Sequence, residues 1–453
     1  FGSDSKMSSP TIYALASGRG RAGIAVIRLS GPDSISTVQK LSGKKLAPRR
    51  AVATALYDPT GGEHLDDALC IAFPAPASFT GEDVAEIQVH GGPAVIQGVL
   101  NVLGREPALR MAAPGEFTRR AFEAGKMDLT AAESIADLID AETEAQRRQA
   151  LRQHGGALAG VCDGWRDELI AALAHWEAAI DFSDEELPGD LEAATAVSIE
   201  RLRGEIEAVL ADAQAGERLR EGIYLAIIGP PNAGKSSLLN LLARRDVAIV
   251  AETAGTTRDV IEVHLDLGGY PVIAADTAGL RETNEVVERE GVRRARARAE
   301  TADLRLAVFD TTQWPPASDA LKAVCGGETI IVANKSDLLD CPSPMEWEGA
   351  PVFLVSVETG AGIDDLLIAL TQAVADGFDE VAAPVVTRAR HREALNECMR
   401  SLVDFLARPD KLAHPEIGGE DLRLAARALG RVTGRVDVED LLDVIFSDFC
   451  IGK

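Results

Sequence analysis

A run of eight residues in the middle of the chain, Gly229 to Ser236, has the composition and spacing of a phosphate-binding loop. Its glycines let backbone N–H groups wrap phosphates, and the N-terminus of the helix predicted to follow adds a favourable dipole. In such a loop Lys235 reaches the β- and γ-phosphates, and the Ser236 hydroxyl binds Mg²⁺. The chemistry predicted here is therefore the binding of a nucleoside triphosphate with magnesium.

Two further motifs each follow the end of a predicted strand. In the run Asp276 to Gly279, the aspartate is expected to support Mg²⁺ through water, and the glycine amide is expected to sense the γ-phosphate. In the run Asn334 to Asp337, the carboxylate of Asp337 can accept two hydrogen bonds from guanine. Adenine lacks that donor pair and would leave the carboxylate unpaired, at a cost on the order of a few kcal/mol. The pattern predicts a guanine nucleotide.

Two loops complete the predicted nucleotide site. Thr257 lies between the phosphate loop and the aspartate motif, and it is expected to make the second protein contact to Mg²⁺. Ser356 begins the loop that is expected to lie behind the base. The predicted GTP-binding residues are Asn232, Ala233, Gly234, Lys235, Ser236, Ser237, Thr256, Thr257, Asp276, Thr277, Ala278, Gly279, Asn334, Lys335, Asp337 and Ser356.

The group that orients the attacking water is not evident from the residues alone. Ras-like enzymes carry a glutamine directly after the Asp-x-x-Gly motif, and the residue at that position here is Leu280. A leucine cannot orient water, so another side chain must do so or hydrolysis is very slow. Four nearby carboxylates stay open as candidates, and each could equally be a solvated residue on a helix: Glu282, Glu285, Glu288 and Glu290.

The elements that must position these motifs are apolar strands alternating with helical segments. The predicted strands are Tyr224–Ile228, Val272–Ala275, Leu304–Phe309, Ile330–Ala333 and Val352–Val355. This alternation predicts a parallel sheet with helices on both faces.

The rest of the chain divides around this α/β unit. Short β-like runs such as Gly23–Leu29 and Val84–His90 are separated by Gly- and Pro-rich turns in the first part of the chain. From about Glu116 the pattern is helical, and the run Thr130 to Glu133 predicts a capping box. We therefore predict a multidomain protein: an N-terminal α+β domain (7–124), a discontinuous all-α domain (125–219 and 381–453) and an inserted α/β P-loop G domain (220–380).

Composition narrows the class of protein further. The net charge of the 453-residue chain is −25, which argues against a protein that coats nucleic acid non-specifically. The sequence shows neither a membrane-spanning apolar run nor a signal peptide, and the residues from Phe1 to Lys6 are interpreted as a cloning remnant before a start at Met7. The six cysteines lack paired or metal-like spacing, so reduced thiols and a cytoplasmic location are expected.

Motifs outside the nucleotide site match one family over essentially Thr11 to Lys453. They are the segments Ser17–Arg28, Ser78–Asp83, His90–Pro93, Pro114–Phe122 and Phe449–Lys453. With them the chain resembles the MnmE (also called TrmE) family of tRNA-modifying GTPases. The closing Cys-Ile-Gly-Lys on a protein with an inserted G domain is highly specific to this resemblance.

The resemblance implies how GTP is hydrolysed. A potassium ion beside the phosphates supplies the positive charge that an arginine finger supplies elsewhere. Its ligands would be Asn232, the backbone carbonyls of Ala251 and Thr253, which thereby join the GTP-binding set, and Thr256. The water-orienting acid of the family falls on Glu288. Potassium binding would accompany the pairing of two G domains, so that hydrolysis is coupled to closure.

The resemblance also implies an N-terminal domain similar to folate-binding one-carbon enzymes, which forms a homodimer. Contacts to a tetrahydrofolate derivative would map to Arg28, Glu86, Lys126 and Lys453. From the residues alone, Arg28 could equally pair on the surface and Glu86 could face water. Cys450, which follows an amphipathic helical run, would lie beside the folate with a catalytic part in the modification; the alternative is a packed thiol near the end of the chain.

The family's reaction places an aminomethyl or carboxymethylaminomethyl group on the wobble uridine of tRNA. It requires MnmG, a flavoprotein partner, with folate as one-carbon donor and glycine or ammonium as amine donor. Basic residues that could touch RNA, or equally form ion pairs on solvated helix faces, are Arg388, Arg390, Arg392, Arg423, Arg427 and Arg431.

Two other classes of function compete with this interpretation. The first is a regulatory or ribosome-assembly GTPase switch without modification chemistry of its own, which would have no use for a folate pocket or for Cys450. The second is a membrane-remodelling GTPase, which the acidic charge and the lack of a hydrophobic insertion segment disfavour.

Overall fold

The structure is a computed structural model. It describes residues 10–18, 20–181, 191–249, 262–276, 302–315, 329–339, 345–347, 350–379, 385–408, 415–436, 439–447 and 449–452. The chain divides into two compact units. The first comprises Phe1–Ala136, Ala159–Glu168 and Ala426–Lys453, and the second comprises Asp137–Leu158 and Leu169–Ala425.

The first unit contains a six-stranded sheet. Its strands are Thr11–Leu15 (β1), Ala22–Ser30 (β2), Val52–Tyr57 (β3), His64–Phe73 (β4), Val84–Gly91 (β5) and Leu109–Met111 (β6). Their order is β3-β4-β5-β2-β1-β6, antiparallel except for the β1–β6 pair. The two β-like runs quoted from the sequence fall inside β2 and β5, which confirms the prediction of a strand at each.

Helices cover the apolar side chains of this sheet. Ser34–Ser42 (α1) and Pro93–Leu103 (α2) contribute Val38, Leu41, Val99 and Leu103 to a core that includes Ile27 of β2. Glu116–Glu123 (α3) instead buries Phe117 against Ile12 and Ala14 of β1. The N-terminal part is thus α+β, as predicted.

The second unit contains a seven-stranded sheet. Its strands are Ile223–Ile228 (β7), Glu262–Leu267 (β8), Tyr270–Asp276 (β9), Leu304–Asp310 (β10), Thr329–Asn334 (β11), Met345–Trp347 (β12) and Ala350–Leu354 (β13). Their order is β12-β13-β11-β10-β7-β9-β8, and the five central strands are parallel. All five predicted strands are confirmed. The antiparallel edge strands β8 and β12 were not predicted from the sequence.

The remaining helices lie where the sequence predicts helical segments. They are Leu129–Asp140 (α4), Glu144–His154 (α5), Ala157–Asp181 (α6), Leu191–Ala211 (α7), Ala213–Glu221 (α8), Lys235–Leu242 (α9), Ile363–Asp379 (α10), Ala389–Ala407 (α11), Pro415–Thr433 (α12) and Glu439–Ser447 (α13). In the described ranges, no helix is long and apolar enough to cross a bilayer.

The predicted capping box at Thr130 is wrong. Helix α4 begins one residue earlier, so Thr130 lies inside the helix, and its hydroxyl donates to Asp128 Oδ1 at 2.6 Å. Asp128 Oδ1 also accepts from the backbone N–H of Ala131 at 3.0 Å, so the aspartate caps the helix. A true capping box occurs at α5, between Thr143 and Gln146.

Candidate functional site

The phosphate loop joins β7 to α9, as the sequence predicts. Its tip places Asn232 at φ 62° and Gly234 at φ 96°, both in the left-handed region. An ideal Cβ atom at Gly234 would overlap Nδ2 of Asn334, so only glycine fits there. Ser236 and Ser237 are exposed in the first turn of α9. The loop thus presents a helix N-terminus and hydroxyl groups to one ligand position.

Lys235 is the charged group of this loop, and it is only 5% exposed. Its Nζ donates to the carbonyl oxygens of Gly229 and Pro230, each at 2.9 Å. These bonds hold the ammonium inside the loop, where phosphate oxygens can take over as acceptors.

Asn334 connects the phosphate loop to the loop behind the base. Its side chain is 3% exposed, and Nδ2 donates to the carbonyl of Ala233 at 2.9 Å. Its Oδ1 accepts from the backbone N–H of Val357 at 3.2 Å. The parts predicted to bind phosphates and base are therefore held by one buried amide.

Asp337 is exposed in a short 3-10 helix, Ser336–Leu338, that follows β11, and one of its carboxylate oxygens is held by a hydrogen bond. The hydroxyl of Ser356 donates to Asp337 Oδ1 at 2.5 Å, and Ser356 Oγ accepts from the N–H of Thr359 at 3.1 Å. This chain of bonds orients the carboxylate, which is the group predicted to distinguish guanine from adenine.

Asp310, at the end of β10, is a site residue that the sequence interpretation missed. Its Oδ2 accepts from Lys335 Nζ at 2.5 Å, and Lys335 has a left-handed φ of 67°. Partial burial would raise the pKa of Asp310, but hydrogen bonds from Lys335 and Thr312 outweigh it and hold that pKa below its usual range. In the sequence, Asp310 directly follows the predicted strand Leu304–Phe309, and this position could have indicated a site residue. In the structure Asp310 pairs in register with Asn334.

The remaining predicted nucleotide residues are only partly within the described ranges. Asp276 ends β9, and its backbone pairs in register with Ile227, next to the start of the phosphate loop. The predicted residues outside the described ranges are Ala251, Thr253, Thr256, Thr257, Thr277, Ala278, Gly279 and Glu288.

A second candidate site lies in the first unit, on β2 and β5. Arg28 donates through Nε to Glu86 Oε1 at 3.0 Å, and its Nη2 lies 2.9 Å from the same oxygen. The guanidinium lies 5.5 Å from the ring centre of Phe79 and 5.8 Å from that of Phe117. Both side chains of the ion pair are about one-fifth exposed, at 23% and 18%. The arrangement combines a carboxylate, a cation and flat apolar surfaces.

The first unit also contains Lys126 of the predicted folate set and the segment that carries Cys450. Lys126 Nζ donates to the carbonyl of Pro76 at 2.8 Å, in the same loop as Phe79. The end of the chain docks at the start of α3, where the N–H of Gly115 donates to the carbonyl of Cys450 at 3.4 Å. Gly452, at φ 101°, packs so closely on Leu15 that a Cβ atom would overlap its carbonyl. Lys453 lies outside the described residues.

Cys450 differs from the other cysteines in the described ranges. It is exposed, whereas Cys70, Cys162 and Cys398 are buried. Burial raises the pKa of the Cys70 thiol to about 11, so that thiol is unreactive at neutral pH. Among the described cysteines, Cys450 is therefore the one open to chemistry.

Of the arginines considered for RNA binding, three form ion pairs within the second unit. Arg388 lies 2.6 Å from Asp137. The other two are Arg392, 2.9 Å from Glu217, and Arg423, 2.7 Å from Glu177. The structure favours the ion-paired interpretation for these three.

The parallel sheet, the phosphate loop and the oriented aspartate define a P-loop protein of the guanine-nucleotide-binding class. Comparisons with known proteins identify the family within this class. Two family models match: "MnmE helical domain" over residues 129–450 and "GTP-binding protein TrmE N-terminus" over residues 11–126.

Relatives match over nearly their whole length. "tRNA modification GTPase MnmE" of Paramagnetospirillum magneticum is 56% identical over 446 residues, covering 98% of this chain and 100% of the relative. The protein of the same name from Parvibaculum lavamentivorans is 55% identical, with the same coverage. A mitochondrial protein of Danio rerio, named 5-taurinomethyluridine-tRNA synthase subunit GTPB3, is 48% identical, covering 98% of this chain and 93% of that one. The chain belongs to the MnmE family of tRNA modification GTPases.

Proposed function

We propose that this protein is a potassium-dependent GTPase that installs an aminomethyl or carboxymethylaminomethyl group on the wobble uridine of tRNA. It would act with MnmG, a flavoprotein partner, and with a tetrahydrofolate derivative as one-carbon donor. The observation that carries the proposal is the presence, in one chain, of a nucleotide site with an oriented aspartate and of the Arg28–Glu86 ion pair between two aromatic rings.

The GTP-binding function is assigned to the nucleotide site of the second unit. The bond from Ser356 fixes one oxygen of the Asp337 carboxylate, which would pair with a guanine base, and the Lys235 ammonium, held by loop carbonyls, would bind phosphates. The buried amide of Asn334 links the two halves of the site, so base and phosphate recognition depend on each other.

The metal ions are assigned from residues of the phosphate loop. The Ser236 hydroxyl, exposed in the first turn of α9, fits a Mg²⁺ ligand, with Thr257 as the second. Asn232 is exposed at the loop tip, which suits the amide oxygen that a potassium ion requires. Such an ion adds positive charge where negative charge develops on the phosphates. Glu288 would orient the attacking water, and pairing of two G domains would complete the site.

The folate pocket is assigned to the first unit. Glu86 can accept hydrogen bonds from a pterin ring, and Phe79 and Phe117 offer flat surfaces beside it. Arg28 pairs with that carboxylate, and Lys126 can bind the glutamate end of the folate. A largely buried ion pair between two aromatic rings would fit a pterin better than a solvated surface would.

The assignment of tRNA and of partners draws on relatives and on the exposed surface. The names of the bacterial relatives specify tRNA modification, and that of the Danio rerio relative specifies a synthase subunit, which supports a partner protein. The exposed thiol of Cys450 would take part in the modification chemistry. An N-terminal homodimer is supported by Ile24, an apolar residue of β2 that is 63% exposed.

The test is GTP hydrolysis by the purified protein in KCl and NaCl buffers of equal ionic strength. We expect strong activation by potassium in the native protein and little difference between the salts in an Asn232→Ala variant. Equal rates for the native protein would refute the potassium-dependent mechanism. An undiminished potassium effect in the variant would refute the role of Asn232.

A further inference from the structure

The connection between α1 and β3 is a basic segment in an acidic protein. Between Gly43 and Arg50 it carries four exposed cations and no acidic residue, although the net charge of the chain is −25. The cations are Lys44, Lys45, Arg49 and Arg50. Within the described ranges, Lys45 and Arg50 have no acidic partner. Cations this close in sequence repel one another, and a bound anion would reduce the repulsion.

The basic segment is held in a defined conformation. Leu46 is 4% exposed and belongs to the core of the first unit. Pro48 forms a β-bridge with Ala72 at the end of β4, and the N–H of Arg49 donates to the carbonyl of Ala72 at 2.8 Å. A fixed backbone lowers the entropy lost when an anion binds to its side chains.

The basic segment also touches the loop of the proposed folate pocket. The guanidinium of Arg49 donates to the carbonyl of Ala77 and lies 5.7 Å from the ring centre of Phe73. Lys126 donates to the carbonyl of the preceding residue, Pro76. Because adjacent Cα atoms are about 3.8 Å apart, the two cations contact the same short stretch of chain. Lys126 of the proposed folate site and Arg49 of the basic segment thus lie at neighbouring residues of one loop.

We propose that the basic segment binds the oligo-γ-glutamate tail of the folate, so that polyglutamylated tetrahydrofolates are the preferred ligands. This inference rests on the proposed folate site. Each added glutamate contributes one carboxylate, and a chain of carboxylates that extends past Lys126 would meet Arg49 next, since the two cations contact adjacent residues. Lys45 and Arg50 then supply cations that no protein carboxylate neutralises in the described ranges. Continuity with the pocket favours this small anionic ligand over an RNA backbone.

The test compares tetrahydrofolate carrying one glutamate with tetrahydrofolate carrying five, by calorimetric titration of the full-length protein. Two exposed ion pairs predict that the pentaglutamate binds about tenfold more tightly at low salt, and that high salt reduces this advantage. The double variant Lys45→Gln, Arg50→Gln is expected to lose most of it. The control is Arg201→Gln, Arg203→Gln on α7, which removes the same charge from side chains that pair with glutamates of their own helix. It should keep the full advantage.

The outcomes separate this inference from the function on which it rests. If the monoglutamate binds but the pentaglutamate binds no more tightly, the inference is wrong, and the proposal of a folate site is kept. An advantage that survives in the double variant also overturns it. If neither folate binds the native protein, the proposed folate site fails together with the inference. If the pentaglutamate advantage is absent and the double variant instead loses affinity for tRNA, the basic segment binds RNA.

Discussion

Replacing Gly234 with alanine places a methyl group where the phosphate loop has no room for one. The residue has a φ of 96°, and the added Cβ atom would overlap Nδ2 of the buried Asn334. To relieve the overlap, the loop must leave its phosphate-binding conformation or Asn334 must move. GTP binding then has to restore the original arrangement, so the cost is expected in the dissociation constant.

The size of that cost follows from the contacts involved. A left-handed conformation costs alanine about 1 kcal/mol relative to glycine. Displacing Asn334 breaks its bonds with Ala233 and Val357, each contributing about 1 kcal/mol. The total of about 3 kcal/mol corresponds to roughly a hundredfold weaker binding.

The assay is titration of the purified protein with a fluorescent guanine nucleotide, with thermal unfolding measured in parallel. The matched control is Gly204→Ala in the middle of α7, where an added Cβ atom meets nothing within 4 Å. That variant should bind nucleotide normally and be more stable by about 1 kcal/mol, because alanine is the better helix former. If Gly234→Ala binds GTP within threefold of the native protein, the packing argument at Asn334 is wrong.

Three further substitutions test individual side chains. Asp337→Asn should weaken GTP binding about a hundredfold and improve binding of xanthosine triphosphate, because the amide reverses the match to the base; unchanged preference in competition titrations would contradict the assignment. Glu288→Ala should keep nucleotide affinity but lose most hydrolysis, measured as phosphate release, and a normal rate would exclude it as the water-orienting acid. Cys450→Ser should keep GTPase activity and abolish tRNA modification, whereas modified nucleosides at the native level would show that the exposed thiol is dispensable.

The strands and the nucleotide motifs could be predicted from the sequence because their signals are local. Apolar runs marked every central strand of the second sheet, and glycine, lysine and aspartate at set spacing marked the loops that follow. Edge strands gave weaker signals: β12 has three residues, and β8 alternates polar with apolar side chains. Neither resembles a buried strand.

Features that depend on tertiary register could not be predicted. Asp310 acts on Lys335 because β10 and β11 lie side by side, and Asn334 reaches Ala233 across two loops far apart in sequence. The contact of Arg49 with Ala77 likewise needs the folded sheet. The prediction of the residue that caps α4 was wrong because Thr130 and Asp128 are both good capping residues. In the structure the aspartate caps the helix.

The most direct test of the account is reconstitution of the reaction from purified components. This protein, MnmG, unmodified tRNA, a tetrahydrofolate one-carbon donor and glycine or ammonium are incubated with GTP or with a non-hydrolysable analogue. Modified wobble uridine is then measured by nucleoside mass spectrometry. We expect modified uridine with GTP and none above background with the analogue. Equal modification with both nucleotides, or none with GTP, would contradict the claim that GTP hydrolysis drives tRNA modification.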